Sequence, residues 1–282
     1  MKVKFYGVRG SMPSPGEHTH QFGGNTSCVY VEQTNGKSLI LDSGTGIAQL
    51  GEKLIEHTTP IPILLTHNHW DHIQGFPFFK PIYQADRDIT IVVGDVEDEQ
   101  TKNAILMQMS GSFFPVSYQH LPANITLNTQ LATQKNFTLN SFNVFTAPLN
   151  HPGGGTAYCV HAEGKKIAYI TDNELAPPGV VKTTVTQWAD FIKDADLLIH
   201  DAQFTTEELT LKHGWGHSTF KQVAELAMQA CIKNLAIISH DPARTDDELL
   251  AIETHLQANY GEHINIECAR EGRTFEFTPS KD

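Results

Sequence analysis

Short apolar runs rich in β-branched residues recur along the chain, at residues 3–6, 28–32, 39–41, 63–66, 89–93, 142–146, 156–161, 167–171, 197–200, 235–239 and 275–277. Their length and composition predict strands. Longer stretches predict helices over 47–57, 97–109, 185–193, 218–230 and 246–258. In the fourth, Val223, Leu226, Ala227 and Ala230 recur at helical spacing, and Ser218 or Thr219 stands where a cap belongs. Many strands with helices mixed throughout predict an α/β layered fold. No repeat or low-complexity linker divides the 282 residues, so one domain is expected over 1–282. Residues 95–116, with Met107, Met109, Phe113, Phe114, Pro115 and Val116, read as an insertion that serves as a lid, a dimer contact in a homodimer, or a plain packed helix.

Polar residues sit at the ends of these apolar runs. Asp42 follows 39–41, His67 follows 63–66, Asp172 follows 167–171, His200 and Asp201 follow 197–199, and His240 follows 235–239. Carboxyl ends of strands are where sheet proteins gather ligands from distant parts of a chain. One such residue carries little information, but five suggest one site. The densest signal is His67-Asn68-His69-Trp70-Asp71-His72, four metal-competent side chains in six positions. Imidazole and carboxylate are the ligands that zinc and its neighbours prefer. On an extended segment His67 and His69 face the same way. Distant partners are then needed, and His151, Asp172 and His240 are the candidates.

Composition narrows the reading. Apolar content is 40% and charged content 18%, both ordinary for a globular protein. No apolar run reaches the roughly 20 residues of a membrane span. The opening residues lack a signal peptide's apolar stretch, so a cytoplasmic protein without a membrane partner is expected. Cys28, Cys159, Cys231 and Cys268 form no C-x-x-C pair and read as buried, reduced thiols outside any metal site. Net charge is −12 and no basic run exists. Long nucleic acids are held by Lys and Arg on phosphates, so none is expected as a partner. A small anion beside metal cations stays compatible with this charge.

The order Asp42, His67-x-His69-x-Asp71-His72, His151, Asp172, His240 resembles the metallo-β-lactamase-fold hydrolases, whose ordered motifs cover nearly the whole chain. The resemblance implies a four-layer αββα sandwich with a dinuclear centre at one edge. It implies that His67, His69 and His151 hold one ion, that Asp71, His72 and His240 hold the other, and that Asp172 bridges them. Asp42 matches the family's first acid, which supports a ligand rather than binding metal. Gly75 matches its trailing glycine, a backbone requirement. The cofactors expected are two divalent ions, with zinc best suited to an all nitrogen and oxygen set and manganese or iron as alternatives. Trp70 reads as packing.

Within that group, Leu198-Ile199-His200-Asp201-Ala202-Gln203-Phe204 resembles the H-E-A-T-F motif of ribonuclease Z-like phosphodiesterases, with Asp in place of Glu. Gly214-Trp215-Gly216-His217-Ser218-Thr219 resembles their H-S-T motif, and Gly23-Gly24-Asn25-Thr26-Ser27 is similar to a loop near their site. The resemblance implies that His217, oriented by Asp201, gives a proton to the leaving group or binds phosphate, with Asp71 also in the catalytic set. The shorter Asp201 and the lack of a basic, glycine-rich arm favour small phosphodiesters, of cyclic nucleotide or cyclic phosphoribosyl type, over RNA. Alternatives are a ribonuclease Z-like nuclease, a hydrolase of a lactone, thioester or β-lactam, and a metal-stabilised binding protein. Arg9, Arg270 and Arg273 read as phosphate clamps or as solvated charges, and the loop of His18 and His20 as one that reaches the site.

Overall fold

A computed structural model describes residues 1–98 and 101–278. The first sheet is built from β1 (Lys2–Gly7), β2 (Cys28–Glu32), β3 (Ser38–Leu41), β4 (Ile61–Leu65), β5 (Asp88–Val93) and β6 (Asn124–Asn128). The second holds β7 (Asn136–Leu139), β8 (Phe142–Pro148), β9 (Thr156–Ala162), β10 (Lys165–Ile170), β11 (Leu197–Asp201), β12 (Asn234–Ile238) and β13 (Asn265–Cys268). The last strand, β14 (Thr274–Glu276), returns to the first sheet beside β1. The strand orders are β14-β1-β2-β3-β4-β5-β6 and β13-β12-β11-β10-β9-β8-β7.

Alternation on the strands shows why two sheets stack. Leu39 and Leu41 join an apolar layer with Tyr158, Val160, Tyr169, Leu197 and Ile199 of the second sheet. Ile40, between them, packs on the other face with Ile47, Leu50 and Leu54 of α1 (Ile47–Leu54). The second sheet's outer face is covered by α4 (Val185–Ile192), α6 (Phe220–Gln229) and α7 (Asp246–Tyr260). Strands apolar on both faces read as continuous runs rather than as alternation. Each fully buried Leu or Ile contributes roughly 1.5–3 kcal/mol. The result is the expected αββα sandwich. Among the described residues, no helix is long and apolar enough to cross a membrane.

The sequence reading left out three strands, β6, β7 and β13, and two helices, α2 (Trp70–Ile73) and α5 (Thr206–Lys212). β6 and β7 are mostly exposed edge strands of polar composition, so they carry no apolar run to find. Helix α5 buries no side chain, and its capping box of Thr205 and Glu208 is its only sequence signal. Thr219, rather than Ser218, caps α6. Of the expected insertion over 95–116, residues 99 and 100 lie outside the described residues, as does that part of the helix predicted over 97–109. The remainder contains α3 (Ala104–Met107), with Ile105 and Met109 buried against the first sheet and Met107 and Phe113 exposed. Cys231 is exposed, unlike the other three cysteines, because it follows α6 in a surface turn.

The arginines are structural. Arg9 is fully buried and donates to the carbonyls of Gly23 (2.7 Å), Arg244 (2.7 Å) and Asp241 (3.1 Å), tying the N-terminal loop to the entrance of α7. Arg270 is paired with Glu253 at 2.9 Å and lies over the Phe22 ring, and Arg273 is paired with Glu267 at 2.7 Å. The loop of His18 and His20 packs on the same entrance through Asp246, not on the site. We predict that Arg9→Ala lowers unfolding free energy by about 3 kcal/mol, because three carbonyl acceptors, one of them in a fully buried bond, lose their donor. Denaturant titration measures that loss. An unchanged KM per folded molecule separates this role from phosphate binding.

Candidate metal centre

Strands β3, β4, β10, β11 and β12 all present their carboxyl ends at one rim, because β3 and β4 run parallel in one sheet and β10 to β12 run parallel in the other. The chain turns sharply there. Asp42, Asp172 and Ser239 each follow a strand with positive φ (59°, 54° and 56°), a conformation non-glycine residues adopt at a cost of roughly 1–3 kcal/mol. The loop after β4 and the start of α2 bring in His67, His69, Asp71 and His72, and the loop after β8 brings in His151.

Two groups of ligand atoms converge. His67, His69, His151 and Asp172 form one; Asp71, His72 and Asp172 form the other. In the first, His69 Nδ1 lies 3.1 Å from His67 Nε2 and 3.0 Å from His151 Nε2. Asp172 Oδ2 is 3.6 Å from His67 Nε2 and 3.9 Å from His151 Nε2. A tetrahedral zinc with bonds of roughly 2.0–2.1 Å sets its ligand atoms about 3.3–3.4 Å apart, so these spacings bracket what one ion needs. In the second, His72 Nε2 lies 3.2 Å from Asp172 Oδ2 and 3.3 Å from Asp71 Oδ2. The donor sets therefore fit divalent metal.

Each ligand is aimed from behind. His72 Nδ1 meets Asp42 Oδ2 at 2.9 Å, and Tyr169 donates its hydroxyl to the same oxygen at 2.9 Å. The other oxygen of Asp42 accepts the Thr66 amide at 2.8 Å. His67 Nδ1 contacts the Thr66 hydroxyl at 3.1 Å, and His151 Nδ1 faces the Gly216 carbonyl at 3.0 Å. A Cβ on Gly216 would overlap the His151 ring, and one on Gly75 would overlap the Gly44 carbonyl, which accounts for glycine at both positions. Asp172 Oδ1 accepts from Thr171 and Ser239, each at 3.0 Å, leaving Oδ2 to face both groups. The amide of Ser11 donates to Asp71 at 2.7 Å.

The charge state suits a cation. Burial holds His67 and His69 below the ordinary imidazole range and lowers His151 to about 4, so all three are neutral, the form that binds metal. Burial also acts downward on His72, but Asp71, Asp172 and Asp42 outweigh it and raise it well above that range. His217 behaves likewise. Burial lowers it, while Asp172 and Asp201 lift it to about 9. Carboxylates here exceed the cations available to pair with them.

His217 and Asp201 meet as expected, Nδ1 to Oδ2 at 3.3 Å, and the His217 ring lies 5.5 Å from that of His151. Asp201 is locked by the amides of Asn173 (2.9 Å) and Ser218 (3.2 Å). The structure does not bring His240 in. Its Nε2 donates to the Ala269 carbonyl at 2.9 Å, and its ring sits edge-on against Phe22 at 5.9 Å. Ser239, one residue earlier, turns its hydroxyl to Asp172 Oδ1 instead. Trp70 is 71% exposed and lines a cleft rather than packing inside. Sequence reasoning missed Ser239, Tyr169, Thr66 and Glu174. Glu174 is buried and accepts from the amides of Gly214 and Gly216, both at 3.0 Å, shaping the loop that carries His217. The strand-end placement of Ser239 was the one available signal.

The chain belongs to the metallo-β-lactamase superfamily: a family model described as "Beta-lactamase superfamily domain" matches residues 38–240. It is a hydrolase of that superfamily, with a His and Asp cluster for divalent metal. It is 27% identical over 313 aligned residues to a protein of Bacillus cereus (strain AH187) named ribonuclease Z, spanning 92% of this chain and 95% of the relative. Among solved structures it is similar to the metallo-β-lactamase fold protein YhfI of Bacillus subtilis, with 18% identity, TM-score 0.69, and coverage of 98% and 99% of the two chains. It is also similar to the short form of human tRNase Z, with 19% identity, TM-score 0.66, and coverage of 99% and 100%. A structure titled as a new diphosphatase from the PhnP family matches at 18% identity and TM-score 0.67, covering 100% and 99%.

Metal-free protein should melt highest near pH 6.5. His151, neutral down to about pH 4 in the fold, makes the unfolded chain bind more protons as pH falls below 6.5, so stability drops on the acid side. His217, held protonated up to about pH 9, adds stability that is lost as pH rises from 6.5 through 9. Thermal melts from pH 4 to 9 test this, and His217→Gln should flatten the alkaline limb. Separately, His69→Ala should abolish binding at the first group, read as metal per chain by elemental analysis.

Proposed function

We propose that the protein is a dinuclear phosphodiesterase acting on small esters, of cyclic nucleotide or cyclic phosphoribosyl type, with zinc as its ion of choice. The observation that carries the reading is the His217–Asp201 pair set within ring contact of His151. In this reading His67, His69, His151 and Asp172 hold one ion, and Asp71, His72 and Asp172 hold the second. Such ions would supply an activated water and neutralise the phosphoryl oxygens. The rest falls to the chain. Asp42 fixes the His72 ring, and the Gly216 carbonyl fixes that of His151, so the ligand nitrogens point at one locus. As water adds to phosphorus and the bond to the leaving oxygen breaks, protonated His217 gives its Nε2 proton to that oxygen. Asp201 holds Nδ1 and offsets the charge before transfer.

Substrate size follows from the surroundings. A cleft of about 830 Å³ is lined by Trp70, the sequence neighbour of His69 and Asp71, and by Ile73, Gln74, Phe78, Met107, Phe113 and Phe114. Its apolar walls suit a flat organic group attached to phosphate, with Gln74, Gln108 and Asn25 for polar edges. A net charge of −12 weighs against a long polyanion. The names of the Bacillus relative, ribonuclease Z, and of the human structure, tRNase Z, support a second reading, a nuclease acting on transfer RNA.

We expect turnover of bis-p-nitrophenyl phosphate and of a cyclic phosphodiester, with none of nitrocefin or an acyl-lactone. The reverse pattern would remove this reading, and efficient cleavage of a precursor transfer RNA would favour the second. His217→Ala should lower turnover of an unactivated diester by about 10²–10⁴-fold with metal content intact. Loss should be smaller with a nitrophenolate leaving group, which needs no proton.

A further inference from the structure

We propose that Ser11 is a substrate-binding residue, whose hydroxyl donates to a non-bridging phosphoryl oxygen beside the second ligand group. This rests on the phosphodiesterase reading above. Ser11 lies in the loop that follows β1. The Met12 amide closes on the Gly10 carbonyl at 2.7 Å around it, and its φ is 64°. A three-residue turn with positive φ at its centre is the rare and strained form. Such strain persists only where surrounding contacts over-determine it.

Those contacts lead to the candidate metal centre. The Ser11 amide donates to Asp71 Oδ2 at 2.7 Å, and that oxygen lies 3.3 Å from His72 Nε2, so the turn is fastened to two residues of the second group. The Gly10 amide donates to the His240 carbonyl at 3.0 Å. A Cβ on Gly10 would come within 2.6 Å of Gln203 Nε2, so the turn is also pressed onto that side chain. Ser11 itself is exposed, whereas Asp71, His72 and Asp172 are buried. Covalent geometry keeps a serine Oγ within about 3.7 Å of its own amide nitrogen, which puts this one within about 6.5 Å of Asp71 Oδ2. One phosphate group bridges that reach, with one oxygen toward the ligand group and another toward the hydroxyl.

The polarity of the Ser11 contact decides what its hydroxyl can do. Gln203 is buried, and its Nε2 faces both Ser11 Oγ and the Ser239 carbonyl at 3.4 Å. A carbonyl only accepts, so the donor end of the Gln203 amide is the end turned this way. Ser11 Oγ therefore accepts from Gln203 and keeps its own hydrogen to give. Among the described residues, no acceptor takes that hydrogen. At 3.4 Å the contact is long, so Gln203 steers the hydroxyl rather than gripping it. An anionic phosphoryl oxygen is the acceptor that this donor fits. Neutral donors matter here because Arg9, Arg270 and Arg273 are committed to carbonyls and carboxylates of the chain. Gln203 also stands where the H-E-A-T-F motif has Thr, so the arrangement is this chain's own.

The test titrates the zinc-loaded full chain with inorganic phosphate by calorimetry. Turnover of bis-p-nitrophenyl phosphate and zinc per chain are measured on the same samples. Ser11→Ala removes the hydroxyl, and Ser11→Gly removes it while fitting φ 64° without strain. Both should keep the wild-type zinc content, weaken phosphate binding about 10-fold and raise KM for the diester by a similar factor. A purely structural turn predicts otherwise for glycine, namely phosphate binding and KM as in the wild type. That result in Ser11→Gly, or a loss of zinc there, would overturn the proposal. A zinc-loaded wild type that neither binds phosphate nor turns over the diester would defeat the phosphodiesterase reading and this proposal with it. A wild type that does both, matched by Ser11→Gly, would defeat this proposal alone.

Discussion

The centre depends on the carboxylate of Asp172. Its two oxygens do different work. One is saturated by two hydroxyls, and the other faces His67 and His151 on one side and His72 on the other. Burying that negative charge without a partner would cost several kcal/mol. The surrounding geometry makes sense as compensation for it: imidazoles on both flanks, and a rim turned by positive-φ residues to bring them within reach. Without Asp172 the two histidine groups would have no shared anion to organise around.

The fold positions this carboxylate through an exchange between sheets. Asp42 ends a strand of the first sheet, yet it accepts from Tyr169, which belongs to the second. Through Asp42 the His72 ring is thereby referenced to both sheets. The helix-opening loop adds a third point of control. Glu174 gathers the amides of Gly214 and Gly216, so the carbonyl that orients His151 and the imidazole of His217 are carried on one short, braced segment. A change in that segment would therefore disturb the aim of His151 and the His217–Asp201 pair together.

Much of this was legible in the chain. The buried strands carry continuous apolar runs because both their faces are covered; those runs pointed to an α/β layered fold, and the resemblance carried by the ordered motifs supplied its αββα layering. The hexapeptide, His151 and Asp172 lie together as read, since residues that follow parallel strands necessarily share a rim. Asp201 and His217 meet for the same reason. What was not legible depended on single-residue phase or on partners far away in sequence. Ser239 and His240 differ by one position at a strand end, and only the backbone bend decides which one turns inward. Tyr169 lies in a buried strand and looks like packing until its hydroxyl is seen on Asp42. Arg9 resembles a ligand for phosphate in sequence, but its Nε and Nη1 donate to three carbonyls of the chain. Edge strands β6 and β7 alternate only two apolar residues each with polar ones, so they lack a continuous apolar run.

The chain deals its chelating groups to both sides of the sandwich. His67, His69, Asp71 and His72 arrive with the strands of the first sheet, and His151 and Asp172 with those of the second. Each of the two ligand groups draws on both halves, since both contain Asp172. Capture of an ion is thus available only to a molecule whose halves have already docked, which makes occupancy a reporter of assembly: a nascent or damaged chain with its sheets apart would scavenge metal poorly.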